Sequence, residues 1–325
     1  MSKAIVVHEH GGSEVLRLEE RDPGEPGPGS VRIRSSASGV NFIDVYMRAG
    51  LYPLPTPFVA GLEGAGIVEG LGPGAEGFAE GDRVAWSSVP GSYAEVLIAP
   101  EDRLVPIPEG VSDEVAAAAM LQGMTAHYLV DGVRKTTPGD TAIVHAAAGG
   151  VGLLLIQALK AARARVMGTC STEEKEGLAR QAGADEVVRY TEQDFASAAR
   201  EWTGGLGVDV VYDSVGRTTF EASMKSLKPR GLLCLYGQSS GVVPPFDLNR
   251  LNAMGSLFVT RPSLAHYTAS RAELLERAGA VLGAIAGGDL QVRIGTRFPL
   301  EQARSAHDAL EGRRTTGKVL LLPHR

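Results

Sequence analysis

The run Ile143-Val144-His145-Ala146-Ala147-Ala148-Gly149-Gly150-Val151-Gly152, followed at once by the apolar stretch Leu153–Ala162, constrains this chain more than any other part of it. A short strand, a glycine turn and a helix in that order form the dinucleotide-binding turn of a parallel α/β unit. Aligned to G-x-G-x-x-G, Ala147 takes the place of the first glycine, while Gly149 and Gly152 keep the other two. The middle glycine lets backbone approach a pyrophosphate, and the last lets helix and strand pack closely. The free N–H groups at the helix start attract the anion. A glycine-rich turn inside an ordinary core reads the same over so few residues, and the sequence that follows separates the two. The segment Thr141–Leu159 carries no Asp, Glu, Lys or Arg and has the length of a membrane span, but the glycines in its middle argue for strand, turn and helix.

Six apolar strand runs alternate with helical stretches from this motif onward: Ala142–Ala146, Arg165–Met167, Glu186–Val188, Val208–Tyr212, Leu232–Tyr236 and Ser256–Val259. That alternation predicts an α/β fold with a Rossmann doubly wound parallel sheet. The first third has another texture: Ala4–Val7, Val31–Ser35, Gly66–Glu69, Arg83–Ala85 and Tyr93–Ile98 are short β-rich runs between Gly/Pro segments. They predict a mainly antiparallel, partly closed β domain. Ser112-Asp113-Glu114 opens a helix and marks the passage between the two. A long helix is expected over Ala265–Ala286, a strand at Gln291–Ile294, a helix over Leu300–Leu310 and a last strand at Val319–Leu322. These are too many for the six-stranded sheet, so they are expected to return and complete the first domain. The boundaries are 1–123 completed by 264–325, around a nucleotide domain at 124–263, in keeping with a chain of 325 residues and about 150 residues per domain.

Charge and cysteine content narrow the partners. The formal net charge is −6, which gives no general attraction to nucleic-acid phosphates or anionic lipid. Two cysteines, Cys170 and Cys234, form no C-x-x-C pair or disulfide framework and fit a reducing cytoplasm. The N-terminal apolar run Ala4–Val7 is too short for a signal peptide. A catalytic zinc needs three protein ligands and an open position. The first domain has no cysteine, and its cluster Gly61-Leu62-Glu63-Gly64-Ala65-Gly66 has leucine before the glutamate where an imidazole is expected. The seven histidines are scattered and read as surface or satisfied core residues, so no metal site is expected.

The end of the second strand of the parallel sheet selects the nucleotide. A carboxylate there bonds the ribose hydroxyls of NAD and opposes a 2′-phosphate, at about 4 kcal/mol for a charge pair about 4 Å apart at an effective dielectric of about 20. Here Arg165-Val166-Met167 runs into Gly168-Thr169-Cys170-Ser171-Thr172 without a carboxylate, and Lys175 follows. NADPH is therefore the expected cofactor, on condition that the neighbouring Glu173 and Glu174 point to solvent.

The segment Gly39-Val40-Asn41-Phe42-Ile43-Asp44-Val45-Tyr46-Met47-Arg48-Ala49-Gly50-Leu51-Tyr52-Pro53 resembles the signature of the zinc-free quinone oxidoreductases, the zeta-crystallin-like branch of the medium-chain dehydrogenase/reductase superfamily. The likeness continues at His145–Gly152, at Val211-Tyr212-Asp213-Ser214-Val215-Gly216, at Gly237-Gln238-Ser239-Ser240-Gly241 and at Val259-Thr260-Arg261-Pro262-Ser263-Leu264, in family order over nearly the whole chain. It implies a GroES-like first domain, an active-site cleft at the domain junction and a homodimer. By the same resemblance Asn41, Tyr46 and Tyr52 are polar residues around the nicotinamide and the acceptor. Tyr128 is a nucleotide contact, Gly149, Gly150, Val151 and Gly152 form the pyrophosphate turn, and Ser171, Lys175 and Tyr190 form the 2′-phosphate pocket. Ser214, Gly237, Gln238, Ser239, Val259 and Arg261 fall on loops after strands four to six, and Arg313 is a C-terminal cofactor contact. Gln122 departs from the pattern, since relatives often carry lysine there. Tyr46 also suits a core position with a wet hydroxyl, Tyr52 a turn and Asn41 a helix N-cap, while Asp44 reads as structural.

The implied activity is zinc-independent hydride transfer from NADPH to a quinone, a strong electrophile for which the protein need only align carbons and offer hydrogen bonds to the oxygen gaining charge. Reduction of a conjugated carbon–carbon double bond is the alternative; it needs a placed proton donor, for which Tyr46 is the candidate. RNA binding and a crystallin-type structural role also occur in this family, and the acidic charge balance without a Lys/Arg run speaks against the first.

Overall fold

The computed structural model describes residues 1–324. The chain divides into two compact units: Met1–Met124 together with the residues from Thr268 onward, and Thr125–Tyr267.

In the second unit six parallel strands follow the order Glu186–Arg189, Arg165–Cys170, Thr141–Val144, Val208–Asp213, Leu227–Leu235, Phe258–Thr260. In sequence order this is 3-2-1-4-5-6, so the direction of winding reverses between the first and fourth strands, the place where such sheets bind ligands. Ile143, Met167, Val211 and Leu233 are fully buried in its core, because a parallel sheet covered by helices on both faces buries its central strands entirely.

In the first unit the main sheet runs Ile294–Pro299, Lys318–Leu322, Ser30–Val40, Glu63–Leu71, Arg83–Trp86, Leu104–Pro106, with Val96–Pro100 also paired to Ser30–Val40. Its pairs are antiparallel except Ile294–Pro299 with Lys318–Leu322. The last strand therefore inserts beside Ser30–Val40, with Val319 opposite Val40 and Leu321 opposite Ser38. A smaller sheet joins Leu16–Arg21, Ser2–Val7 and Phe58–Val59.

Three local expectations change. The single helix over Ala265–Ala286 is two, Leu264–Tyr267 and Arg271–Ala286. Ser270 and Glu273 form a capping box that starts the second afresh. The short helix goes with the nucleotide unit, Tyr267 stacking on Tyr128 at 4.5 Å between ring centroids, so the return crosses at 267/268 rather than 263/264. The strand expected at Gln291–Ile294 lies instead at Ile294–Pro299, in register with Lys318–Leu322: the partner strand, not the local sequence, sets its place.

Candidate active site

Apart from Tyr128, on the helical segment Tyr128–Val133, the predicted nucleotide residues of the second unit lie at or just beyond the carboxyl ends of its strands. After Thr141–Val144 the chain turns through Ala146, which takes φ 50°, and Gly149 caps the helix Gly150–Ala161. The first N–H groups of that helix have no intrahelical carbonyl to bond, and a dipole end favouring anions lies behind them. A Cβ on Gly152 would meet the carbonyl oxygens of Ala146 and Ala147 at 2.4 and 2.8 Å, so only glycine lets the helix close on the strand.

The second strand runs into Ser171, and Thr172 caps the helix Glu173–Gln181 by accepting from Lys175 N at 3.3 Å. Glu173 and Glu174 are exposed, which meets the condition set on them, and Glu176 is engaged by Arg180 and Arg189 at 3.0 and 3.2 Å. Tyr190 is 43% exposed, and its N–H bonds Cys170 O at 3.1 Å, which holds it beside Ser171.

Beyond the fourth strand, Ser239 N donates to Ser214 O at 3.1 Å, and Ser240 N to Val215 O at 2.8 Å. A Cβ on Gly237 would meet Ser214 O at 2.6 Å. Ser214, Gly237, Gln238 and Ser239 thus form one interlocked pair of loops. Val259 and Arg261 are exposed on and after the edge strand. Tyr128 is buried in its stack on Tyr267, and burial raises its hydroxyl pKa. Arg313 belongs to the first unit, on an exposed turn at φ 56° after the helix Ala303–Glu311.

Under these loops lies a buried network. Both oxygens of Asp213 accept from Thr219 Oγ1 at 2.9 and 2.7 Å; Oδ1 also accepts from the N–H groups of Val215 and Gly216 at 2.8 and 3.0 Å, and Oδ2 from Ser223 Oγ at 3.0 Å. His145 sits between Thr169 Oγ1 at 2.8 Å and Ser223 Oγ at 2.9 Å.

In the first unit Asn41 stands at the N-cap of the helix Phe42–Arg48, its N–H bonded to Asp44 Oδ2 at 2.8 Å. The helix carries Tyr46, whose ring meets Tyr52 edge-on at 5.5 Å; the N–H groups of Leu51 and Tyr52 both donate to Tyr46 O. The amide of Asn41 is fully engaged. Nδ2 donates to Glu63 Oε2 at 2.7 Å and Gly39 O at 3.3 Å, while Oδ1 accepts from Lys318 Nζ at 2.8 Å and Gln122 Nε2 at 3.1 Å. Two donors and two lone pairs are all an asparagine amide has. Glu63 and Lys318 form an ion pair at 0% and 1% side-chain exposure, and Leu121 N donates to Glu63 Oε1 at 2.5 Å. Gln122 thus bonds Asn41 directly, and an ammonium reaches the same amide oxygen from Lys318.

Glu63 and Lys318 do not stand out in the sequence as site residues. Glu63 sat in a glycine-rich run noted only for a missing metal ligand, and Lys318 stood at the start of an apolar strand, where a lysine ordinarily reaches solvent. The available signal was a carboxylate set among the small and apolar residues of Gly61-Leu62-Glu63-Gly64-Ala65-Gly66. Asp44 is structural as expected: it also accepts from Tyr93 Oη at 2.9 Å, and Tyr93 in turn meets His307 Nε2 at 3.2 Å. Among the described residues no three His, Cys, Asp or Glu side chains gather where they could hold a metal ion, and no helix is long and apolar enough to cross a membrane.

Residues 150–277 match the family model described as zinc-binding dehydrogenase, and 27–109 that of the alcohol dehydrogenase GroES-like domain. The chain is 45% identical to a quinone oxidoreductase of Pseudomonas aeruginosa, covering 99% of this chain and 100% of that one. It is 43% identical to a 2-haloacrylate reductase of a Burkholderia species, covering 99% of each. The crystal structure of Escherichia coli quinone oxidoreductase complexed with NADPH superposes with a TM-score of 0.97 at 42% identity, over 99% of this chain and 100% of that one. With that agreement over its whole length, this chain belongs to the quinone oxidoreductase family of the medium-chain dehydrogenase/reductase superfamily.

Proposed function

We propose that this protein is an NADPH-dependent quinone oxidoreductase that works without a metal, in the cytoplasm and as a homodimer. The carboxyl edge of the six-stranded sheet carries the reading. There a glycine turn opens a helix, and the second strand, Arg165–Cys170, runs into Ser171 and Thr172 with no carboxylate before Glu173. The N–H groups of Gly150, Val151 and Gly152 hold the pyrophosphate; Ser171, Lys175 and Tyr190 take the 2′-phosphate. Ser214, Gly237, Gln238, Ser239, Val259, Arg261 and Tyr128 shape the remainder, with Arg313 as a further contact. When bound, NADPH supplies a hydride from its nicotinamide ring. Tyr46 and Tyr52 offer hydroxyls to the acceptor oxygen as it gains charge. Asn41, its amide spent on Glu63, Lys318, Gln122 and Gly39, serves by fixing the start of the helix that carries Tyr46.

The kinship with a 2-haloacrylate reductase favours one second reading, reduction of an activated carbon–carbon double bond with the Tyr46 hydroxyl as proton donor. Initial rates of NADPH oxidation by chelator-treated protein, with an aromatic quinone and a 2-haloacrylate in parallel, separate the two. Fast quinone turnover without metal supports the first. Consumption of the haloacrylate alone makes the enzyme a double-bond reductase and Tyr46→Phe the variant to measure next.

A further inference from the structure

Nothing in that reaction uses His145, an imidazole 1% exposed at the end of the first parallel strand. We propose that His145 is a positioning residue of the dinucleotide site: it fastens the strand end leading to Ser171 and Lys175 to the strand end leading to Ser214. The inference rests on the NADPH reading above.

The proton inventory fixes how it does so. The carboxylate of Asp213 only accepts, and the single O–H of Ser223 is directed to it at 3.0 Å. The Ser223 oxygen must then accept from His145, which puts the ring proton on Nε2, at 2.9 Å. Nδ1 is left as an acceptor and takes the Thr169 O–H at 2.8 Å. Burial lowers the imidazole pKa and keeps this neutral tautomer, and Phe195 packs edge-on against the ring at 4.7 Å.

A histidine kept only to fill the core needs its polar atoms satisfied by any partner. Here one partner, Thr169, stands on the second strand, and the other, Ser223 of the helix Phe220–Ser226, bonds Asp213 at the end of the fourth; these two strands flank the first, and each leads at once into a loop of the site. Thr169 stands two residues before Ser171, and Asp213, reached through Ser223, directly before Ser214. Main-chain bonds from Ala147 N to Thr169 O at 3.0 Å and from His145 N to Tyr212 O at 3.1 Å keep the same three strand ends in step. The side chain extends that registry past the last ladder bonds to the residues where the loops begin.

The test titrates intact wild-type, His145→Leu, His145→Asn and His145→Gln proteins with NADPH and with NADH by cofactor fluorescence, alongside amide hydrogen exchange of the proteins without cofactor. An asparagine amide reaches about as far as Nδ1 and keeps the Thr169 arm; a glutamine reaches about as far as Nε2 and keeps the Ser223–Asp213 arm. His145→Leu is expected to weaken NADPH binding roughly tenfold, the scale of a lost orienting hydrogen bond or two. His145→Gln should lose mainly the preference for NADPH over NADH, and His145→Asn should weaken both alike. Exchange in 170–175 and 214–216 should quicken in His145→Leu while Gly150–Ala161 stays protected. If the leucine variant does not fold, the two amide variants carry the comparison. Folded variants with wild-type binding and unchanged exchange overturn the proposal. Failure of the wild type to bind either dinucleotide removes the NADPH reading instead, and exchange then decides alone whether His145 fastens the loops.

Discussion

Lys318 contacts Glu63 and Asn41 at 1% exposure, and at the residue scale that one contact separates two kinds of stability. Removing one partner of a buried pair strands a charge, at a cost of about 3–5 kcal/mol, whereas replacing both by apolar groups of similar size is often neutral. Lys318→Met should therefore lose roughly that much in urea unfolding, and the double variant Glu63→Leu/Lys318→Met should recover part of it, the remainder being the cost of leaving the Asn41 amide and the Leu121 N–H without those partners. Recovery of stability without recovery of quinone turnover would mark the pair as a device for orienting Asn41 and Gln122. A second prediction sits at the other site: Lys175→Ala should raise the Michaelis constant for NADPH roughly tenfold and leave that for NADH nearly unchanged, since one charge-assisted phosphate contact is worth about 1.5–3 kcal/mol. Equal effects on both cofactors would remove Lys175 from the phosphate pocket.

At the scale of an element, the helix Phe42–Arg48 is held by a chain of buried hydrogen bonds whose two titrating members oppose each other. Burial raises the Asp44 carboxyl from 3.8 to about 7, and its Oδ1 has no hydrogen-bond partner among the described residues. Burial and the Arg48 guanidinium lower His307 from 6.5 to about 3. The Arg48 Nη1–H donates to His307 Nδ1 at 3.2 Å, and Nε2–H then faces the Tyr93 oxygen. Asp44 is protonated when folded and ionised when unfolded between about pH 4 and 7, so its contribution is complete below pH 4 and is lost as pH rises toward 7. His307 is neutral when folded and charged when unfolded between about pH 3 and 6.5, so its contribution is complete above 6.5 and is lost as pH falls toward 3. From about pH 4 to 6.5 the two slopes cancel. His307→Gln should unmask the Asp44 slope, a fall of about 1.4 kcal/mol per pH unit on raising pH, and Asp44→Asn the opposite one. Parallel wild-type and variant curves of stability against pH would show that neither group titrates as described.

At the scale of the whole molecule, the strand Phe258–Thr260 closes one edge of the six-stranded sheet, its outer side unpaired among the described residues, with Phe258 61% exposed and Leu248 74%. Bare apolar edges invite pairing and are blunted or covered in stable proteins. The homodimer proposed above would cover this edge if a second copy added its own edge there. Phe258→Lys should convert a dimer to a monomer in light scattering at micromolar concentration, while a wild type that is already monomeric would remove the proposal. The paired loops at Ser214 and Gly237 precede this edge in the chain, so NADPH affinity should be followed in the same variant.

Local sequence made the parallel sheet legible, because six apolar runs and the helices between them are written in order from Thr141 onward, and the glycine turn starts them. It made the glycine turn itself legible for the same reason: Gly152 is demanded by carbonyls five and six residues back, at Ala147 and Ala146. Strand Ile294–Pro299 lies a few residues beyond its expected place, because a partner strand settles it, and the break before Ser270 in the expected single helix is set by a capping box. What tertiary structure alone decided is the polar interior. Glu63 and Lys318 lie far apart in the chain and meet because the last strand inserts beside Ser30–Val40, and His145 takes one partner from strand two of the wound sheet and reaches the end of strand four through Ser223 of the helix Phe220–Ser226. Periodicity reports which face of an element is apolar, a property of neighbours along the chain. Whether a buried charge or imidazole finds its complement is a property of neighbours in space, and it exists only once the sheets have formed.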